Sequence, residues 1–163
     1  MKVLFDNQIF IYQDIGGISN YFVNLIDSFE SDIECKLPQM FSENIYLKQI
    51  GHTAKHPFDK LKFRGKKRIY KYLSACNNNT LIRQGNYDIF HPTYYNCNFI
   101  NLLPPQKPFV ITVHDMIHEK FPIYFNKNRD EYKNKYHLCQ KAHKIIAVSN
   151  QTKLDIIDIF SIP

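Results

Sequence analysis

The sequence predicts an α/β protein with a doubly wound parallel sheet and flanking helices in a single domain. Short apolar runs alternate with helix-like segments along the chain, and this order is typical of parallel strands joined by right-handed crossovers. The chain has 163 residues, of which 44% are hydrophobic and 15% aromatic. Such a length and composition suit one domain with its own core.

The first half of the chain is predicted to contain two strands and two helices. Residues 2–6 and 32–37 are short apolar runs typical of strands. Between them an apolar stripe at helical spacing predicts a helix, formed by Ile18, Tyr21, Phe22, Leu25, Ile26 and Phe29. Residues 38–58 are polar and irregular, and no element is predicted there. A second helix is predicted at 66–83, with one apolar side made of Ile69, Tyr72, Leu73 and Cys76.

The second half has a clearer alternation of strands and helices. Residues 88–91 read as a short strand that ends before a proline. Residues 108–115 and 144–149 are continuous apolar runs, typical of strands buried on both faces of a parallel sheet. A polar helix is predicted at 129–143. Ser149 is a natural N-cap for a last helix, whose inward side is predicted to be Leu154, Ile157 and Phe160.

Composition and charge limit the classes of partner and location. No apolar run approaches the ~20 residues that span a bilayer, and the first residues lack the pattern of a signal peptide, so a cytoplasmic location is expected. The four cysteines are scattered without metal-ligand spacing, so we expect free thiols. The formal net charge of +6 favours anionic partners. Much of it lies between Lys60 and Lys71, which is either a solvated helix face or a contact for an anionic surface.

In a doubly wound sheet, ligands bind outside the carboxyl ends of the strands. This rule predicts that several polar or flexible residues lie along one edge of the sheet. They are Gly16, Gly17, His91, His114, Asp115 and Ser149.

Two of these positions indicate specific chemistry. Gly16 and Gly17 precede a helix, where unpaired N–H groups favour phosphate and glycine allows close approach; a tight turn explains them equally well. His114 suits a hydrogen bond to a sugar hydroxyl or phosphate, or the role of a base. Asp115 either orients His114 or caps the next turn. A metal site at His114 and His118 is not favoured, because no third ligand is evident.

Four stretches of the chain resemble, in the same order, the N-terminal halves of family 4 glycosyltransferases. They are "YQDIGGISNYFVNLI", "NYDIFHPTYYN", "KPFVITVHDMIHEKFP" and "KAHKIIAVSNQTKLDII". The chain is most similar to mannosyltransferase-type members that bacteria use to make surface polysaccharides. The resemblance implies a GT-B architecture, in which two Rossmann-like domains face each other across a cleft.

The resemblance also implies roles for individual residues. Gly16 and Gly17 match a glycine loop whose amides approach the donor diphosphate. His114 matches a histidine that contacts the transferred sugar and supports the reaction electrostatically, with Asp115 supporting its loop. The further binding positions implied at the cleft are Asn20, Tyr21 and Ser149. For Ser149 a capping role is supported at least as well.

Together these observations predict that residues 1–163 are the N-terminal, acceptor-side domain of a retaining hexosyltransferase. The resemblance implies a nucleotide-sugar donor held by a C-terminal domain that this sequence lacks, a saccharide or lipid-linked acceptor, and no metal or other cofactor. The chain alone is expected to be inactive and to work within a larger protein or complex. A peripheral contact with anionic membrane through Lys60 to Lys71 is a further expectation.

A binding module of the same fold, holding a phosphorylated ligand or a partner without catalysis, is the alternative. Nucleic acid is not an expected partner, because no recognisable nucleic-acid motif occurs.

Overall fold

Five parallel strands form the centre of the protein in the computed structural model, which describes residues 1–29, 31–38, 42–51, 64–125 and 129–162. In chain order the strands are β1 (Lys2–Phe5), β2 (Glu34–Lys36), β3 (Ile89–His91), β4 (Val110–Val113) and β5 (Lys144–Ala147). Two ladders are formed, in the orders β2-β1-β3 and β4-β5. A parallel bridge between Phe90 and Phe109 joins them, so the strands follow the order 2-1-3-4-5.

Helices and one 3₁₀ turn connect these strands. They are α1 (Gln8–Tyr12), α2 (Gly17–Asp27), α3 (Ile45–Gln49), α4 (Lys66–Gln84), the 3₁₀ helix Cys97–Asn101, α5 (Ile117–Lys120), α6 (Arg129–Lys141) and α7 (Asn150–Phe160).

The sheet has a hydrophobic core on each face. Successive residues of a strand point to opposite faces. Accordingly Val3 and Phe5 of β1 pack in one core with α2, whereas Leu4 packs in the other with β3, β4 and residues of α4, α6 and α7. Helices thus cover both faces, and the predicted doubly wound α/β fold is confirmed. All five predicted strands are present, as are the helices predicted after Gly17, at 66–83, at 129–143 and after Ser149.

The apolar side predicted for α4 is present, but it faces outward. Ile69, Tyr72 and Leu73 are 47%, 70% and 38% exposed, and Cys76 is also exposed. The buried side of α4 carries Ser74, Asn78 and Ile82 at a spacing of four residues. The buried side of this helix is therefore mainly small and polar, and its apolar stripe faces outward.

The last strand and helix are also less buried than predicted. In β5 the side chain of Ile146 is 39% exposed, because β5 is the last strand in the sheet order and one of its faces is only partly covered. In α7 Leu154 and Ile157 are exposed, while Phe160 is buried as predicted together with Thr152 and Ile156. The short helices α1, α3 and α5 and the 3₁₀ helix were not predicted.

All four cysteines are free thiols, and Cys139 is the buried one. Within the described ranges no helix is long and apolar enough to cross a membrane.

Candidate functional site

The carboxyl ends of β1, β3 and β4 meet at one edge of the sheet. In the order 2-1-3-4-5 the winding reverses between β1 and β3, and such a switch point is where doubly wound proteins bind ligands. The segments that leave these strands carry Asp6, Thr93 and His114 respectively. This edge is therefore the candidate site.

The loop after β4 is fastened by hydrogen bonds from other elements. The backbone N–H of His114 donates to the hydroxyl of Tyr95 at 3.2 Å. The ammonium of Lys135 in α6 donates to the carbonyl of Asp115 at 3.1 Å. The Asp115 carboxylate accepts the N–H of Ile117 at 3.1 Å, so it caps the next turn. Of the two roles considered for Asp115, the structure shows the cap.

Lys135 is a buried cation beneath this loop. Its side chain is 1% exposed and forms an ion pair with Glu119, itself fully buried, at 3.0 Å. Its ammonium also lies 5.0 Å from the centre of the Tyr95 ring. A buried pair of this kind adds little net stability, but removing one partner leaves an uncompensated charge. Lys135 therefore fixes the path of the main chain at Asp115.

His114 presents a neutral imidazole at the sheet edge. Its ring makes edge contacts with Tyr21 and Phe22 of α2, at centroid distances of 5.1 and 5.8 Å. Burial lowers the pKa of His114 to about 4; the negative charge of Asp115 opposes this shift, and the positive charge of Lys135 makes a smaller contribution in the same direction as burial. At neutral pH the ring is uncharged. Its Nε2 atom is buried and has no hydrogen-bond partner among the described residues. An unpartnered buried nitrogen is suited to a ligand hydroxyl.

The two glycines differ in what surrounds them. A Cβ at Gly16 would lie 2.2 Å from Oε1 of Gln13, whose side chain occupies that space and accepts the N–H of Ser19. A Cβ at Gly17 would have no atom within 4 Å. Neither residue has the left-handed backbone conformation that favours glycine, and Gly16 is extended. Gly16 thus makes room for the protein's own side chain, whereas nothing described around Gly17 requires glycine.

The remaining predicted positions divide into two groups. Tyr21 contacts His114 and so lies at the site. Asn20 is exposed one residue earlier on α2 and accepts a hydrogen bond from the Asn24 side chain at 3.1 Å. Ser149 caps α7, because its hydroxyl accepts the N–H of Thr152 at 3.0 Å. No hydrogen bond joins Ser149 to His114 in the described part of the chain.

His91 is a core residue, although it ends a strand at this edge. Its Nε2 lies 2.9 Å from the hydroxyl of Thr112, and its ring packs between Phe5 and Phe22. Burial lowers its pKa to about 4. For metal binding, no group of three or more His, Cys, Asp or Glu side chains comes together within the described ranges.

The sequence analysis missed a buried polar network between β1 and β3. Asp6 is fully buried and accepts both the N–H and the hydroxyl of Thr93, at 2.9 and 2.6 Å. Burial raises its pKa despite these hydrogen bonds. The same strand-end rule points to Asp6, because it directly follows β1. Lys135 gave no such signal, since it lies in a polar helix rich in lysine.

A doubly wound domain with helices on both faces of a parallel sheet belongs to the Rossmann-like class of folds. The family profile described as Glycosyltransferase Family 4 matches residues 15–163, and the chain belongs to this family. No curated protein and no solved structure matched it.

Proposed function

We propose that this chain is the acceptor-side, N-terminal half of a GT-B glycosyltransferase of mannosyltransferase type, which moves a hexose from a nucleotide-sugar to a saccharide or lipid-linked acceptor in the synthesis of bacterial surface polysaccharide. Membership of the family supports glycosyl transfer in general. The observation that carries the assignment of a site is the buried, unpartnered Nε2 of His114.

The geometry at His114 supports contact with the transferred sugar. A neutral ring nitrogen both accepts and donates hydrogen bonds to hydroxyl groups according to its tautomer. The loop is held in place before any ligand arrives, by Tyr95 and Lys135. Such preorganised contacts stabilise developing charge without reorganisation. His114 then acts on the sugar near the reacting carbon, with Asp115 maintaining the turn.

The open space at Gly17 supports an approach of the donor diphosphate to the start of α2. This helix has 11 residues, and its first N–H groups favour an anion. In this proposal Asn20 and Tyr21 line the same cleft. The donor itself is held by a second domain, transfer proceeds with retention and without a metal, and the chain alone is inactive.

A contact with anionic membrane belongs to the same proposal. The exposed side of α4 carries Ile69, Tyr72 and Leu73 beside the exposed cations Arg68 and Lys71. A basic helix with an apolar face is suited to a membrane interface, and each charge contributes about 1 kcal/mol near an anionic surface. Residues 60–63, the first part of the basic segment, lie outside the described residues. Cosedimentation that does not depend on the fraction of anionic lipid would contradict this part of the proposal.

Glycosyl transfer is tested by the release of nucleoside diphosphate from GDP-mannose and UDP-hexoses, with and without saccharide and lipid-linked acceptors. Residues 1–163 alone are expected to give no transfer. Transfer is expected when a donor-binding domain is supplied, in the same polypeptide or as a second chain. Transfer by residues 1–163 alone would disprove the half-enzyme part of the proposal.

The His114→Ala variant tests the site within this assay. We expect kcat to fall by about 10²-fold, as for the loss of one preorganised polar contact to the transition state. The control is His137→Ala, which removes an exposed imidazole from α6. Equal rates in the two variants would show that His114 does not contact the reacting sugar.

A further inference from the structure

A polar cavity of about 200 Å³ lies beside the switch point, between α1, α4 and the 3₁₀ helix. Its lining includes Asn7, Gln8, Tyr12, Lys71, Asn78 and Asn96. The volume is many times that needed for a single water molecule. None of these residues belongs to the contacts described around His114.

Two of the side chains that line this cavity each have a buried amide atom without a partner. Asn7 and Asn78 are 4% and 8% exposed. Nδ2 of Asn7 and Oδ1 of Asn78 form no hydrogen bond with any described residue. Rotating either amide by 180° exchanges its oxygen and nitrogen, but a polar atom still occupies the same buried position. Buried polar atoms in native proteins are almost always paired, so two orphans on one cavity indicate a missing ligand.

Asp6, Gln8 and Asn96, which also line the cavity, are already joined by hydrogen bonds. The Gln8 side chain donates to Asp6 at 2.6 Å and to the Asn96 carbonyl at 3.2 Å, and it accepts the Asn96 N–H at 2.8 Å. Asp6 accepts four hydrogen bonds from Thr93 and Gln8. Its carboxylate is therefore not available to bind a cation. The two side chains with unpartnered amide atoms therefore lie beside groups that are already hydrogen-bonded.

The hydrogen-bonding groups of the cavity favour an uncharged ligand. Lys71 is exposed at the mouth, where its ammonium lies 5.3 Å from the centre of the Tyr12 ring. Deeper in, the described lining offers amides, which present a donor and an acceptor side by side. A hydroxyl group also both donates and accepts, whereas a phosphate only accepts. A ligand with several hydroxyl groups matches this lining best.

We propose that this cavity binds one uncharged sugar unit through its hydroxyl groups, with Asn7 and Asn78 as its central contacts. That the ligand is a sugar, and not another compound with several hydroxyl groups, rests on the proposed function. The binding of a sugar in this cavity does not itself require glycosyl transfer. Free monosaccharides and the terminal sugar of an acceptor share this chemistry. A free hexose and its methyl glycoside separate them, because the glycoside imitates a unit already linked to another sugar.

The test follows the side-chain amide signals of ¹⁵N-labelled protein by NMR during titration with mannose, glucose and their methyl glycosides. Glucose 6-phosphate and glucuronate serve as anionic counterparts. We expect saturable shifts of Asn7 and Asn78 with at least one neutral sugar. No saturable shift with any of them, or tenfold tighter binding of an anionic counterpart, would overturn the proposal. This wild-type titration decides the question without any variant.

Asn78→Leu sharpens the test, because leucine keeps the approximate size and removes the orphaned oxygen. We expect at least tenfold weaker sugar binding together with a Tm raised by about 2–4 °C, the combination expected for a polar group kept for a ligand. Asn77→Leu, the neighbouring change on the same helix, is expected to retain binding. Unchanged sugar binding in Asn78→Leu would contradict the assignment.

Failure of this site and failure of the proposed transfer give different results. If sugar binds but no transfer is found, the cavity stands and the reaction does not. If transfer depends on His114 but no sugar shifts the asparagine signals, the reaction stands and the cavity does not.

Discussion

The loop after β4 and the glycine turn after β1 reach the same edge of the sheet, but they are held in different ways. The β4 loop is held by distant residues, Tyr95 and Lys135, which lie 19 and 20 positions from the groups they bind. The glycine turn is held by its own residues. Gln13 accepts the N–H of Ser19, and the Ser19 hydroxyl donates to the Gly16 carbonyl at 3.0 Å.

This difference shows how stability and function are divided at the edge. The β4 loop depends on a buried ion pair, so its geometry cannot change without a cost to the whole domain. The glycine turn is a local arrangement, and Gly17 can be altered without disturbing any described neighbour. We expect substitutions in the ion pair that holds the β4 loop to act mainly on stability, and substitutions at Gly17 to act mainly on ligand binding.

The largest expected effect comes from breaking the ion pair under the β4 loop. Lys135→Met keeps the length of the side chain but leaves Glu119 buried without its cation. We expect the free energy of unfolding to fall by about 3–5 kcal/mol. Urea denaturation followed by circular dichroism measures this loss.

The double variant Glu119→Gln/Lys135→Met provides the control. Because both charges are then removed, most of the lost stability should return. If the double variant is as unstable as the single one, the pair itself is not what holds the loop.

An intermediate effect is expected from pH. His91 and His114 have pKa values lowered to about 4, against about 6.5 in an unfolded chain. Between these values the unfolded state binds more protons, so stability is complete above about pH 6.5 and falls as the pH drops toward 4. In His114→Phe one fewer proton is taken up on unfolding. Between pH 4 and 6.5 the free energy of unfolding should therefore change less steeply with pH, by about 1.4 kcal/mol per pH unit.

Urea midpoints measured from pH 7.5 to 4 for both proteins give this difference. Parallel curves would mean that His114 is not kept neutral by the fold. The comparison of two proteins cancels the contribution of the carboxylates, which also titrate in the lower part of this range.

The smallest effects are expected at the glycines, where the comparison becomes sharpest. Gly16→Ala displaces Gln13 and should lower the free energy of unfolding by about 0.5–1.5 kcal/mol, the value of one hydrogen bond.

Gly17→Ala should leave the free energy of unfolding unchanged or raise it by up to about 1 kcal/mol. If a donor diphosphate approaches this turn, Gly17→Ala nevertheless weakens nucleotide-sugar binding, which calorimetry measures in the protein supplied with its donor-binding domain. Normal binding in this variant would remove Gly17 from the site.

Much of the fold could be predicted because strand periodicity and helix stripes are local signals. The run at 108–115 identified β4, and the strand-end rule led to His114 and Asp115. That rule requires parallel strands to share an edge, and the structure confirms this geometry. The capping role of Ser149 also followed from its position before a helix.

Contacts between distant residues could not be predicted in this way. Lys135 is one of several lysines in the sequence of α6, and nothing local distinguishes the buried one from the exposed ones. The side of α4 that faces the protein is set by where Ile82 meets the core. An apolar stripe at helical spacing shows that a helix is amphipathic, but it does not show which side faces the core. The stripe of α4 faces outward.

The outward side of α4 also carries a cysteine that is suited to chemical labelling. Cys76 is exposed there, whereas Cys139 is buried and its pKa is raised to about 12 by burial. The thiols of Cys35 and Cys97 are partly buried and have raised pKa values as well. Thiolates are the reactive species. A maleimide fluorophore or spin label should therefore attach first at Cys76, where its signal would report directly whether this side of the helix enters a lipid surface.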